Sequence, residues 1–194
     1  MNHVAKLALT MSALFSTFTL NASPYVSAQI GRYGIDIYDH HNGVAGRLAA
    51  GYLWHTTERL HLGLETGLNL FQNLNYTCQY FYDSPRERKY KSTYLDALFV
   101  IDYFVTQRFD LVAKFGAAYV WQDSPFINPI YNNVKNDYEG FTAKVALGFG
   151  YNLTNKVNLN LMIDIPHSAQ KVNYVINQLI PSSSFMLGLR YQFC

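Results

Sequence analysis

The chain has 194 residues and a formal net charge of +2; 49% of its residues are hydrophobic, 16% aromatic and only 14% charged. This length suits one domain with a sizeable core, and the near-neutral charge gives no basis for nucleic-acid binding. So few charged and so many aromatic residues are unusual for a protein that meets water on all sides. No stretch reaches the roughly 20 consecutive apolar residues of a membrane-spanning helix.

The N-terminus has the pattern of a secretory signal peptide. Residues 1–6 carry the single charge of Lys6, residues 7–20 form an apolar run, and the small residues Ala22 and Ser23 follow. We therefore expect residues 1–22 to be a signal peptide and residues 23–194 to be one mature domain. Cleavage after Ala28 is the alternative, but it would remove residues 24–28 from the first strand candidate. A buried amphipathic helix fits less well, because the segment is apolar on all sides.

Eight segments then alternate apolar and polar residues with a period of two. The clearest cover residues 140–152 and 157–165, where Val145, Leu147 and Phe149 alternate with small or polar residues. Successive side chains of a strand point to opposite faces, so each segment predicts a strand with one apolar face. Each is long enough to cross a bilayer at a tilt. The candidates are residues 24–32 with an irregular continuation toward 38, 44–54, 60–70, 93–104, 110–122, 140–152, 157–165 and 184–193.

The connections between these strands alternate in length. Short turns are predicted at residues 55–59, 106–109 and 153–156, and long loops at 33–43, 71–92, 123–138 and 166–183. An even strand count with short turns at one end and long loops at the other is typical of bacterial outer-membrane barrels. The pattern predicts an all-β, eight-stranded antiparallel up-and-down transmembrane β-barrel. Its long loops would be extracellular and both mature termini periplasmic.

A soluble eight-stranded barrel of the lipocalin kind would place the apolar face inside. The other face decides between the two, because it carries many glycines, including Gly63, Gly67 and Gly148. Glycine weakens an exposed strand, whereas inside a narrow barrel small residues make room for long charged ones. Aromatic residues near the strand ends of the apolar face also fit the interfacial girdle of a membrane barrel. These are Tyr52, Trp54, Tyr103, Trp121, Tyr151 and Tyr191.

The whole pattern resembles the small outer-membrane barrels of the OmpA/OmpX/OmpW type. In that family the last strand ends in an aromatic residue that the barrel-assembly machinery recognises. The final strand candidate here ends with Phe193, one residue before Cys194. The resemblance implies the outer membrane of a Gram-negative bacterium as the location. It also implies outer-membrane lipid, lipopolysaccharide and the assembly machinery as partners, with no cofactor.

The polar face contains charged residues that would point into the lumen. Buried charges are costly unless they are paired, so we expect an ion-pair network that plugs a barrel too narrow to conduct. A narrow porin-like channel for small solutes is the alternative. Glu65, Asp96, Lys114, Lys144 and Arg190 are expected near mid-lumen. The predicted network consists of Arg47, Glu65, Asp96, Asp102, Lys114, Lys144, Asp164 and Arg190.

We expect no enzymatic activity, with a lipid A-modifying barrel enzyme as a second alternative. The lipid A deacylases of this shape use a His-x-Ser-Asn motif, whereas His167 and Ser168 are adjacent and would face opposite sides of a strand. The palmitoyltransferase barrels use an Asp-Ser pair. Asp83 and Asp123 are each followed by a serine, and the match is limited to these dipeptides. The pair at residues 40–41 is read as loop surface and not as a metal site.

The two cysteines, Cys78 and Cys194, are expected at opposite ends of the barrel as free thiols or paired with another molecule. Neither has the neighbours of a metal site.

The remaining candidates for function lie in the long loop at residues 71–92. Aromatic and arginine residues are enriched at recognition hot spots, and basic residues above an outer leaflet can bind lipopolysaccharide phosphates. The sequence therefore predicts a structural or surface-interaction role, in which the loops serve adhesion or contact an extracellular or host ligand. The candidate recognition residues are Tyr80, Tyr82, Arg86, Arg88 and Lys89.

Overall fold

The computed structural model describes residues 22–37, 39–78, 86–125, 135–167 and 182–193. None of the described residues forms a helix long and apolar enough to span a membrane. The described chain forms nine β-strands: β1 (Ala22–Ile37), β2 (Asp39–His55), β3 (Leu60–Phe71), β4 (Leu74–Cys78), β5 (Arg86–Phe104), β6 (Phe109–Pro125), β7 (Lys135–Asn152), β8 (Val157–His167) and β9 (Ser182–Gln192).

Eight of the strands form a closed barrel. Their order is β3-β2-β1-β9-β8-β7-β6-β5, every pairing is antiparallel, and pairing of β3 with β5 closes the ring. The ninth strand, β4, pairs with the first residues of β5 beyond the ring. Closure satisfies the backbone hydrogen bonds of the ring and leaves it without an open edge. The predicted eight-stranded antiparallel up-and-down barrel is confirmed.

The strands continue into segments that the sequence predicts as long loops. β1 and β2 stay paired from Ala22↔Trp54 to Ile37↔Asp39. This confirms the continuation of the first strand candidate toward residue 38, and the predicted loop at 33–43 is wrong for all of its described residues. The other three predicted loops also contain strand residues: 74–78 and 86–92, 123–125 and 135–138, and 166–167 and 182–183. The period-two pattern fades there because, beyond the hydrocarbon layer, neither face of a strand has to be apolar.

The short turns match the sequence prediction to within a residue. They connect β2 to β3, β5 to β6 and β7 to β8 at residues 56–59, 105–108 and 153–156. The first residue of β1 pairs with Trp54 at this same end, and β9 also ends there. We call it the short-turn end, and the extended strands lie at the opposite end.

The apolar face of the barrel points outward. Phe141 is 75% exposed and Ile30 64%, whereas the inward Glu65 and Lys144 are 4% and 2% exposed. Apolar side chains outside and charged side chains inside are the reverse of a water-soluble barrel and are what a lipid environment requires. The structure therefore favours the membrane barrel over the soluble alternative.

Inward glycines make room for the charged side chains, as the sequence suggested. A Cβ atom on Gly67 would lie 2.5 Å from Nη2 of Arg47, and one on Gly150 would overlap Oδ1 of Asp110. The lumen at these two positions has no space for even a methyl group. The small residues and the buried charges are thus parts of one packing arrangement.

Candidate functional site

A group of six charged side chains fills the middle of the lumen. Nη2 of Arg47 lies 2.7 Å from Oε1 of Glu65 and 2.7 Å from Oδ1 of Asp96. Nζ of Lys114 lies 2.9 Å from Oε1 of Glu65. Nζ of Lys144 lies 2.8 Å from Oδ2 of Asp96 and 2.8 Å from Oδ2 of Asp164. We call this group the central cluster: Arg47, Glu65, Asp96, Lys114, Lys144 and Asp164.

The central cluster joins six strands and balances its own charge. It contains three basic and three acidic side chains, none more than 8% exposed. Neutral side chains supply further hydrogen bonds: Asn69 Nδ2 donates to Asp96 at 2.7 Å, and the Tyr25 hydroxyl donates to Glu65 at 2.8 Å. A buried ionic group is tolerated when its members are paired and hydrogen-bonded in this way.

A second group lies nearer the short-turn end. Nη1 of Arg190 lies 2.7 Å from Oδ2 of Asp102, and its Nη2 lies 3.2 Å from Oδ2 of Asp110. Arg190 is in register with Asn158, the second residue of β8, so its predicted place at mid-lumen is wrong. The reason is where the strands end: Arg190 lies two residues before the end of β9, as Asp102 does before the end of β5, and Asp110 is the second residue of β6. We call Arg190, Asp102 and Asp110 the turn-end cluster.

Asp110 is absent from the residues that the sequence singled out. A signal for it exists, because Asp110 has the same inward parity as Val112 and Lys114 on β6. Its carboxylate accepts a hydrogen bond from Asn158 Nδ2 at 3.0 Å. With Asp110 included, the turn-end cluster holds one basic and two acidic side chains.

Tyr25 connects the two clusters. Its hydroxyl is bonded to Glu65 of the central cluster, and Cζ of Arg190 lies 5.7 Å from the centroid of its ring. A cation near the face of an aromatic ring is attracted electrostatically. One buried tyrosine thus touches both groups of charges.

Aromatic side chains fill the lumen toward the extended strands. The ring of Phe71 lies 4.9 Å from that of Tyr33 and 4.8 Å from that of Tyr94. Gln122 Nε2 donates a hydrogen bond to the Tyr90 hydroxyl at 2.8 Å. Sequence periodicity does not reveal this layer, because Tyr33, Phe71 and Tyr90 fall in predicted loops. We call Tyr33, Phe71, Tyr90 and Tyr94 the aromatic layer.

The described part of the lumen is packed. The inward side chains of the central cluster are at most 8% exposed, and Tyr33, Tyr90 and Tyr94 of the aromatic layer at most 1%. A continuous water-filled passage would leave some side chain of each layer open to water. These layers together obstruct the barrel along the length that the structure describes.

The predicted recognition residues lie mostly outside the described side chains. Tyr80 and Tyr82 lie outside the described residues. Arg86, Arg88 and Lys89 belong to β5 and are in register with β4, but their side chains are outside the described part. No group of three metal-ligating side chains occurs among the residues that the structure describes.

The structure describes only some of the residues that were considered for catalysis and for disulfide formation. His167 is the last residue of β8, and Ser168 lies outside the described residues together with residues 83–84. Asp123 is a half-buried residue of β6. Cys78 ends β4 and Cys194 is outside the described residues. Of these side chains the structure describes that of Asp123 alone, so the interpretations of the others remain predictions.

The closed barrel with outward apolar and inward charged side chains is typical of outer-membrane proteins, and comparison with known protein families agrees. The model of the outer membrane protein beta-barrel domain matches residues 5–193. The chain therefore belongs to this family, and its location is the outer membrane. A comparison with curated proteins found no match.

Solved structures share the fold at low sequence identity. Neisserial surface protein A is 18% identical with a TM-score of 0.60, and the match covers 89% of this chain and 99% of that protein. A major outer membrane protein from Thermus thermophilus is 16% identical with a TM-score of 0.55 and coverages of 89% and 99%. Ail, the attachment invasion locus protein of Yersinia pestis, is 12% identical with a TM-score of 0.52 and coverages of 89% and 97%.

Proposed function

We propose that the protein is a non-enzymatic, non-conducting outer-membrane barrel that displays a rigid sheet at the cell surface for adhesion or ligand contact. The observation that carries this proposal is the one-sided extension of the strands. Tight turns end the barrel on one side, whereas paired strands continue on the other. We propose that the extended end is extracellular and that both mature termini are periplasmic, as in other barrels with this loop pattern.

The extension is long compared with the membrane. β5 has 19 residues and β7 has 18, whereas a tilted strand needs only about 9–11 residues to cross. The surplus of about eight residues corresponds to roughly 25 Å of strand beyond the hydrocarbon layer. The large exposed apolar residues of β5 span only Leu95 to Tyr103, which agrees with this division.

The β4–β5 extension carries the residue types expected of a contact surface. Its sequence at residues 75–91 is rich in tyrosine, arginine and lysine. Such residues anchor recognition surfaces, and the basic ones can bind phosphate groups of lipopolysaccharide. Because residues 75–78 pair with residues 86–89 as strands, these residues would be presented with less loss of conformational freedom than in a flexible loop. The shared fold of Ail, an attachment protein by name, is compatible with this role.

The packed lumen argues against the porin-like alternative. A selective pore needs a wetted path lined by its charges, whereas the charges here are paired with one another and shielded from water. We propose that they hold the barrel wall together from within.

Replacing residues 75–89 by an Asn-Gly turn tests the display role. Leu74 and Tyr90 are Cα partners, so a two-residue turn can join them and keep the aromatic layer. Bacteria without other adhesins would express either form, and we would count those bound to cultured epithelial cells and to heparin-coated plates. We expect at least about tenfold lower binding for the shortened form, the scale of losing a hot spot.

R86Q/R88Q/K89Q, which keeps the strand pairing but removes three charges, is the matched variant. Lower binding of this variant would assign the contact to these cations. Unchanged binding of the shortened, correctly folded barrel on both surfaces would refute the display role.

A further inference from the structure

The three short turns are copies of one another. Each contains a threonine, a variable residue, a basic residue and then the apolar residue that begins the next strand. The variable residues are Glu58, Gln107 and Asn155. The basic residues are Arg59, Arg108 and Lys156, and the threonines are Thr57, Thr106 and Thr154. The spacing repeats at each of the three hairpins, although the flanking strands differ in sequence.

The same hydrogen bonds fix the backbone in all three turns. The threonine Oγ1 accepts from the N–H of the basic residue at 3.3, 3.3 and 3.2 Å, in chain order. It also accepts from the N–H of the following apolar residue at 3.0 Å in each turn. The threonine N–H donates back to the carbonyl of that apolar residue at 3.0, 3.2 and 3.2 Å.

A further hydrogen bond fixes each basic residue to the neighbouring strand. Its carbonyl accepts from the N–H of Phe104, Asn152 or Gln192, at 2.7, 2.8 and 2.8 Å in chain order. The three basic residues therefore occupy equivalent positions around the rim of the barrel. We call these three turns the basic rim.

The basic rim lies where lipid headgroups meet the barrel. Tyr103, Phe109, Tyr191 and Phe193 are exposed on the outer face next to the turns, as expected at a membrane boundary. Arg108 Nη1 donates to the Tyr151 hydroxyl at 3.2 Å, so its guanidinium stays at this aromatic level.

The basic rim also carries a net positive charge and borders a cavity. Glu58 is the one acidic residue in the three turns, against three basic ones. An open cavity of about 610 Å³ lies between the first two turns and is lined by residues that include Glu58, Arg59, His61, Phe104 and Thr106. Its wall thus combines a cation, a carboxylate, an imidazole, a hydroxyl and an aromatic ring.

We propose that the basic rim binds the phosphate groups of anionic phospholipids in the leaflet that borders the short turns. Three exposed basic side chains at equal depth match a layer of phosphates better than they match a single small anion. Basic residues beside a membrane surface attract anionic lipid at short range. The lipid chains would lie along the outward aromatic residues while the phosphate meets the arginine or lysine above them.

The two tryptophans allow a test at each end of the barrel. Trp54 lies beside the first short turn, and Trp121 lies toward the opposite end of β6. The chain has no other tryptophan, so W121F leaves one reporter at the basic rim and W54F leaves one at the far end. The full chain would be reconstituted in vesicles of phosphatidylethanolamine and phosphatidylglycerol. Either one lipid or the other would carry brominated chains, which quench nearby tryptophan fluorescence.

We expect brominated phosphatidylglycerol to quench Trp54 more than its bulk fraction predicts. The enrichment should approach about fivefold for one basic side chain at an anionic surface. R59Q/R108Q/K156Q in the W121F background should remove this excess. R59K/R108K/K156R should keep it, because it keeps the charges. The charge-matched R32Q/K89Q/K91Q, which changes cations toward the extended end, should leave Trp54 quenching unaltered.

Quenching of Trp54 by each brominated lipid in proportion to its bulk fraction would overturn the proposal. Excess quenching by phosphatidylglycerol that survives R59Q/R108Q/K156Q would also overturn it. Equal loss of the excess in R32Q/K89Q/K91Q would do the same, because it would show a general attraction between the charged protein and anionic lipid. Each variant would first be tested for the heat-dependent shift in gel mobility that marks a closed barrel. Arg59, Arg108 and Lys156 lie in exposed turns, and Arg32 and Lys91 are exposed on their strands, so their replacement is expected to leave the barrel folded.

Discussion

Asp96 has three ionic or hydrogen-bonded side-chain partners in the lumen, as many as Glu65. Its carboxylate accepts hydrogen bonds from Arg47, Lys144 and Asn69, which lie on three other strands. Removal of its charge leaves two buried cations with one acidic partner fewer each. Breaking a buried ion pair from one side costs much more than the pair contributes, because the remaining charge stays out of water.

Asp96→Asn should therefore lower the free energy of unfolding by about 3 kcal/mol. Urea unfolding of the protein in phospholipid vesicles measures this change. Glu58→Gln, which removes an exposed carboxylate in the first short turn, is the control and should leave stability unaltered. Equal stability of the two variants would contradict a tightly coupled central cluster.

A pair of glycines tests how closely the lumen is packed. A Cβ atom on Gly67 would lie 2.5 Å from Arg47 Nη2, whereas one on the outward Gly46 would meet only a carbonyl oxygen at 3.8 Å. Gly67→Ala should lower the free energy of unfolding by about 1–3 kcal/mol, because it displaces a guanidinium held by two carboxylates. Gly46→Ala should cost little in the same measurement. The reverse order would refute the packing described.

The inward charges could be predicted from the sequence because parity along a strand assigns each side chain to a face. The ion-pair partner of each charge could not be predicted in this way. Pairing depends on the register between strands and on where each strand ends, which places Arg190 with Asp102 and Asp110 and away from the central cluster. Asp110 was within reach of the parity argument, since it precedes Val112 and Lys114 at intervals of two.

At the scale of strands and turns, the lipid layer determines how much the sequence reveals. Strand segments inside it must be apolar on one face, so their alternation is plain and all eight were predicted. Beyond it the same strands lose the pattern but keep their pairing, so residues 33–37 and 39–43 looked like a loop. β4 was missed for the same reason, as five residues without a sustained apolar face.

The threonine of each short turn is predicted to contribute to the stability of its hairpin. Oγ1 of Thr57 satisfies the N–H groups of Arg59 and Leu60. Thr57→Val keeps the shape of the side chain but removes this acceptor, so it should lower the free energy of unfolding by about 1 kcal/mol. Thr57→Ser keeps the hydroxyl acceptor and should retain most of this stabilisation, measured by the same urea unfolding. A valine variant as stable as the wild type would show that water replaces the hydroxyl without cost.

Taken as a whole, the barrel exposes apolar side chains on its outer surface and buries charged side chains in its lumen. Composition, alternation and the rhythm of the connections were sufficient to predict its closed form, because a membrane permits few ways of pairing every backbone group. They were insufficient to predict what the barrel recognises. Ligand specificity depends on side-chain geometry at the extended end, and no periodic constraint acts on the sequence there.

We propose that paired side chains block the lumen of this barrel. The purified protein, inserted into planar lipid bilayers, should therefore add no conductance above the leak of the membrane itself. Glu65→Gln/Asp96→Asn, which disrupts the central cluster, should be more prone to transient openings than the wild type. Reproducible single-channel steps from the wild-type protein would contradict the account.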